Sequence, residues 1–157
     1  MDLTDKYLAQ SFRYLSFRPR SEKEVRDYLQ KKKASPEIIE TIIAKLKDKK
    51  FINDQKFAKW FIEQRSRIKP KGQRLIIIEL KQKGISKDVI DAVIQNSEFK
   101  IQNDREKARE IVERKIEKYR GLTKQEVYQK LGGLLSRRGF DYDVIKASID
   151  EALKKGV

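Results

Sequence analysis

The sequence predicts an all-α protein, three tandem three-helix repeats stacked into an elongated, curved array, and three observations predict it. Helix-capping signals recur at regular intervals along the chain. Apolar residues fall in narrow stripes of helical spacing, although charged residues make up 39% of the sequence and the hydrophobic set only 38%. The apolar positions also repeat: adding 51 carries Val25 and Leu29 onto Ile76 and Leu80, and adding 55 carries these onto Leu131 and Leu135. The same offsets take Ile38-Ile39 to Val89-Ile90 and then to Val144-Ile145. A unit of about fifty residues with so little apolar content cannot bury a generous core alone, so neighbouring units are expected to pack end to end. The expected repeats are residues 1–52, 53–100 and 101–157.

The first helix is expected over residues 4–17, with Tyr7 and Phe12 on its packing face. Ser21 with Glu24 has the spacing of a capping box, in which each side chain satisfies a free amide at a helix start, and opens the second helix at 21–33. Ser35 ahead of Pro36 caps the third, 36–49, whose Ile38, Ile39, Ile42, Ile43 and Leu46 form one stripe. Asp54 caps the fourth, 54–68, in which Phe57, Trp60 and Phe61 are assigned to the core. The fifth, 71–83, contains Leu75-Ile76-Ile77-Ile78, a run that alone suits a buried strand as well as a helix. The offset of 51 decides for helix, and a middle repeat touching both neighbours accounts for a run that is apolar on more than one face.

Ser86 opens the sixth helix, 86–96, and Asn103 with Glu106 forms another capping box ahead of the seventh, 104–119. There Ala108, Ile111, Val112, Ile116 and Tyr119 make one stripe while the other faces alternate in charge. Thr123 with Glu126 opens the eighth, 123–138, and Asp141 the ninth, 142–154, with Phe140 buried at the joint. Gly132-Gly133 falls inside the eighth helix at about 1 kcal/mol per glycine, for which close helix approach or a kink is the expected reason. Tyr14, Phe17 and Tyr142 are left open between core packing and base stacking.

Lysine and arginine total 38 against 24 acidic residues, a net charge of +14. Such a field favours a polyanionic partner, whether DNA, RNA or a filament carrying them, and its bland rival is a lysine-rich solvated surface. Placement bears on the choice. The offset of 51 turns Arg18-Pro19-Arg20 into Lys69-Pro70-Lys71, so two consecutive repeats present a basic-proline-basic corner. Proline limits the backbone there and holds the cations on a stiff turn, which assigns the corners to binding. Lys32 becomes Lys83 and then Arg138, each ending the second helix of its repeat, with Lys31, Lys33, Lys81 and Arg137 beside them. Cations at a helix C-terminus are also favoured by the dipole, so this series reads equally as stability or as a binding stripe. From Arg65 to Ile78 there is no acidic residue, while Arg65, Arg67, Lys69, Lys71 and Arg74 supply positive charge.

Cysteine and histidine are absent, which removes disulfides, thiol nucleophiles, the usual zinc ligands and imidazole chemistry. None of the seven glycines sits in a phosphate-cradling loop. Carboxylates such as Glu113 and Glu117, or Asp150 and Glu151, belong to mixed-charge helix surfaces. The expectation is a non-enzyme without cofactor or metal. Met1 leads into Asp2-Leu3-Thr4-Asp5, with neither the basic start nor the apolar run of a signal peptide, so a soluble cytoplasmic protein away from membranes is expected.

Arg20-Ser21-Glu22-Lys23-Glu24-Val25, followed by Leu29, resembles the opening of the RecX regulatory family. Phe51-Ile52-Asn53-Asp54-Gln55-Lys56-Phe57-Ala58 is similar to that family's entry to its second unit. The resemblance continues through Lys71-Gly72-Gln73-Arg74, Glu79-Leu80-Lys81-Gln82-Lys83-Gly84-Ile85-Ser86 and Arg137-Arg138-Gly139-Phe140-Asp141-Tyr142-Asp143-Val144-Ile145. Lys33 departs from it, standing where a glycine is common, and so does Gly132-Gly133. The resemblance implies a monomeric array that lodges in the groove of the RecA filament on DNA. It also implies restraint of filament growth, ATP hydrolysis, strand exchange and the co-protease activity of the SOS response. The alternative is a general nucleic-acid-binding helical module without a recombinase partner, to which naked DNA would bind as tightly as the filament.

Overall fold

The computed structural model describes residues 2–68, 71–96 and 103–155, with side chains described outside 66–68, 96 and 103. Among the described residues there are nine α-helices and no strand: α1 (Leu3–Phe17), α2 (Glu22–Lys31), α3 (Pro36–Asp48), α4 (Asp54–Ile68), α5 (Gln73–Gln82), α6 (Lys87–Asn96), α7 (Asn103–Lys115), α8 (Lys124–Arg137) and α9 (Tyr142–Lys154). A single 3-10 turn, Ile116–Tyr119, closes α7. The bounds of α1 and α2 return in α4 and α5 at an offset of 51, and those of α3 in α9 at 106. The β-branched run is helical in α5, with Ile76 buried and Ile78 exposed. Among the described residues no helix is long and apolar enough to cross a membrane.

The capping boxes of Ser21 with Glu24 and Thr123 with Glu126 are both formed, and Ser35 and Ser86 accept from the amides of Ile38 and Val89. Asp141 precedes α9 without a side-chain bond to it, and the side chain of Asn103 lies outside the described residues. Asp54 does not cap its own helix; Asn53 does, accepting from the amide of Lys56 at 3.1 Å. Asp54 caps α2 instead, taking the amide of Glu22 on Oδ1 at 2.9 Å. Asp104 does the same for α5 through the amide of Gln73 at 3.1 Å. A carboxylate at a helix start is placed well against the unfilled amides of another.

The chain forms two compact units, Met1–Phe61 with Leu80–Val93, and Ile62–Glu79 with Ile94–Val157. In the first, Val25, Leu29, Ile39, Ile42, Ile43, Leu46 and Ile52 make a core flanked by Tyr7, Leu8, Tyr14 and Tyr28. In the second, Ala108, Ile111, Val112, Ile116, Val127, Leu131, Leu135, Phe140 and Ile149 do so. Phe57, Phe61 and Phe140 are buried as expected, but Phe12 is 37% exposed and meets Phe51 edge-on at 5.0 Å instead of entering the core. Phe17 and Tyr142 are exposed.

The end of each second helix is built alike. Ser21 donates its hydroxyl to the Lys83 carbonyl at 2.7 Å, and Gly72, which holds the place of Ser21 one repeat later, donates its amide to the Arg138 carbonyl at 2.7 Å. In the first repeat the Lys32 carbonyl takes the Tyr7 hydroxyl at 3.1 Å. The next residue turns left-handed each time: Gly84 and Gly139 at φ 82° and 89°, and Lys33 at 67°. A Cβ on Gly72 would fall 2.2 Å from the Gly139 carbonyl oxygen, so two stretches of backbone meet there without room for any side chain. Gly132 has no such need. Its Cβ would meet only Ile145 Cγ2, at 3.8 Å, and α8 runs on through both glycines, so the expected close approach is not what places them.

Candidate functional site

The cations singled out by sequence divide into those that the protein engages itself and those that it leaves outward. Arg18 is engaged. Its guanidinium bonds Glu24 at 2.6 and 3.4 Å, donates to the Pro19 carbonyl at 2.8 Å and lies over the Trp60 ring at 5.5 Å. Glu24 also takes the Ser21 amide at 3.1 Å and Lys83 Nζ at 3.4 Å. Burial pushes the Glu24 carboxyl up, but Arg18, the Ser21 amide and Lys83 outweigh it and hold it below the ordinary value. Two cations on one carboxylate leave the corner net positive.

Arg20 stacks its guanidinium 3.9 Å over Tyr14, donates to the Tyr14 carbonyl at 3.3 Å, and Tyr14 in turn lies flat on Tyr28 at 4.2 Å. The offset of 51 maps Arg20, Tyr14 and Tyr28 onto Lys71, Arg65 and Glu79. In the second repeat the aromatic sandwich becomes an ion triplet: Glu79 accepts from Arg65 Nε and Lys71 Nζ, both at 2.7 Å. Burial pushes Glu79 up, and the two cations bring it below the ordinary value. Either arrangement ties the first helix to the second across the turn, by cation–π contact or by paired charge. Arg18, Arg20 and Lys71 are therefore tied down by the protein's own side chains, and no sequence pattern singles out Glu24, Trp60 and Glu79 as partners. Lys69 and Pro70 lie outside the described residues, as does the side chain of Arg67. Arg74 donates to the Ser136 carbonyl at 3.5 Å, with Nε 3.8 Å from Asp141.

The helix-end series differs. Lys31, Lys81 and Arg137 are exposed, Arg138 is half-buried, and none of the four has a side-chain partner among the described residues. Lys32 has only the Tyr28 ring, 5.6 Å from Nζ, and Lys83 reaches Glu24. Each repeat thus ends its second helix on cations, most of them unneutralised. Among the described residues no group of histidine, cysteine, aspartate or glutamate side chains could hold a metal. Glu113, Glu117 and Glu151 pair with Lys155, Arg120 and Arg109, as a mixed-charge surface should. Asp150 does not: its Oδ1 is buried without a partner.

The geometry agrees with the relatives. Models of the first, second and third RecX three-helix domains match residues 8–46, 53–94 and 103–149. The regulatory protein RecX of Bacillus subtilis is 37% identical over 88% of this chain and 52% of its own length, and that of Bacillus velezensis 33% over 96% and 56%. The chain spans about half the length of the curated relatives it matches. The crystal structure of RecX from Lactobacillus salivarius superposes with a TM-score of 0.82 at 28% identity, covering 94% of this chain and 95% of that one. With its three-helix repeats in the same order and the same fold over nearly its whole length, this chain belongs to the RecX family.

Proposed function

We propose that this protein regulates a RecA recombinase by binding the RecA filament on DNA and modulating its ATP hydrolysis, strand exchange and co-protease activities. The observation that carries the reading is the set of unneutralised cations ending α2, α5 and α8 in a chain of net charge +14. Phosphates of the filament's DNA would take these cations, which gives attraction and fast encounter, while the repeated helical units supply the surface that fits the protein coat. No step of this reading needs catalysis. A cytoplasmic setting, where the filament forms, and action as a monomer belong to the same proposal. Membership of the RecX family, whose relatives are named regulatory proteins, supports it.

The test adds the purified chain to preformed RecA filaments on single-stranded DNA and follows ATP hydrolysis and strand exchange. Both are expected to fall as the protein is titrated. Unchanged rates at saturation would remove the regulatory reading. Naked duplex or single strand bound as tightly as the filament would point instead to a general nucleic-acid-binding module.

A further inference from the structure

In the second compact unit a cavity of about 820 Å³ is lined by residues of α8 and α9, Gly132 among them, with Arg74 of α5 and the joint residues Phe140 and Asp141. The repeat offsets show what has been removed to make it. Gly132, Lys146 and Tyr128 stand where the first repeat has Arg26, Glu40 and Glu22. In the first repeat that place is filled: Arg26 bonds both carboxylate oxygens of Glu40 and, at 3.1 Å, Glu22. In the third, the filling side chain is gone, one carboxylate has become an ammonium and the other an aromatic ring.

The wall of the cavity offers three kinds of contact. Arg74, Lys124 and Lys146 outnumber Asp141 and Asp150 on the wall, and Lys124, 5.9 Å over the Tyr128 ring, and Lys146 have no carboxylate partner among the described residues, so the wall favours an anion. Tyr128 and the exposed Tyr142 offer aromatic faces. Asp150 brings a carboxylate to the wall, an acceptor that suits the amino group of a base edge. A nucleotide matches all three at once, with a phosphate, a flat base and an amino group on the base edge. A helix-interior glycine, disfavoured and unneeded by packing, then has a reason: it leaves room.

We infer that this cavity receives one unstacked nucleotide of single-stranded DNA, its base on Tyr128 over Gly132, its amino group on Asp150, and its phosphate near Lys124 and Lys146. The inference rests on the proposed binding to a DNA-bearing filament and names how the strand is gripped.

Fluorescence anisotropy of the full chain with oligo-dC, oligo-dT and an abasic strand of equal length tests it. Oligo-dC should bind roughly fivefold more tightly than oligo-dT, which lacks an exocyclic amino group. Gly132→Leu should lower oligo-dC affinity roughly tenfold, toward that of the abasic strand, while abasic binding and helical circular dichroism stay unchanged. Asp150→Ala should abolish the preference for oligo-dC without altering abasic binding; it decides the matter if the leucine variant folds poorly. Equal binding by Gly132→Leu and the parent on all strands, or a parallel loss on the abasic strand, overturns the inference. Loss of binding to DNA-free RecA with DNA binding intact also overturns it, assigning the cavity to a protein side chain. A chain that binds bases selectively yet leaves filament ATP hydrolysis unchanged would keep the pocket and remove the regulatory reading. Filament inhibition that survives with no base dependence would do the reverse.

Discussion

Lys33 adopts at φ 67° the left-handed backbone that Gly84 and Gly139 supply in the other two repeats. A side chain costs about 1–2 kcal/mol in that conformation. Lys33→Gly should therefore stabilise the chain in urea denaturation by about 0.5–1 kcal/mol, the gain being trimmed by the greater freedom of glycine in the unfolded chain. Lower stability would mean that the lysine side chain holds the turn. Glu24 carries a second prediction at this scale. Burial pushes its carboxyl up, yet Arg18, the Ser21 amide and Lys83 prevail, so it gives up its proton more readily in the folded chain than in the unfolded one. Its contribution is complete above the ordinary carboxylate value of 4.5 and is lost as the pH falls through the lowered folded value. Glu24→Gln should cost about 1–2 kcal/mol near neutral pH, with the gap to the parent closing in acid. Asp54 works the other way, since burial raises it, and its ionisation weighs against the fold above the ordinary range.

At the scale of the element, the ends of helices carry more than their interiors. Asp54→Ala leaves the Glu22 amide without its acceptor and should cost about 1 kcal/mol, measured by thermal melting. Gly72→Ala should cost several times more, because the added methyl meets backbone and not a movable side chain. A loss no larger than that of Asp54→Ala would show that the backbone at Gly72 and at Gly139 can part cheaply. The helices themselves were legible in the sequence, since capping spacings and apolar stripes are local properties. What Asp54 does was not: its position at a helix start is visible, but which helix it caps depends on where another repeat's α2 lies. The partners of the corner cations were hidden for the same reason. Glu24 sits six residues from Arg18, yet Glu79 is fourteen from Arg65, and Trp60 lies beneath a residue of the preceding repeat. One trace was readable, namely that Tyr14, Arg20 and Tyr28 change together to Arg65, Lys71 and Glu79. The cavity left its mark as Gly132, in a helix that did not need it, and as the exchange of two carboxylates for Tyr128 and Lys146.

For the molecule as a whole, the distribution of charge matters more than its sum. Single substitutions of Lys31, Lys81, Arg137 or Arg138 by alanine should each lower the slope of log affinity against log salt for the DNA-bearing filament by about 1. Arg18→Ala, whose guanidinium is taken up by Glu24, should act on stability more than on slope. Equal slopes for all of these variants would show that the helix-end cations do not meet phosphate. The two compact units follow a different division from the sequence repeats: the first takes Leu80–Val93 and the second Ile62–Glu79, so the middle repeat is shared out between them. Inheritance and folding therefore cut this chain at different places. A chimera made by swapping the middle repeat for a relative's would graft foreign surface into both halves at once, and its success would turn on the carbonyl-to-cap hydrogen bonds at the seams being kept.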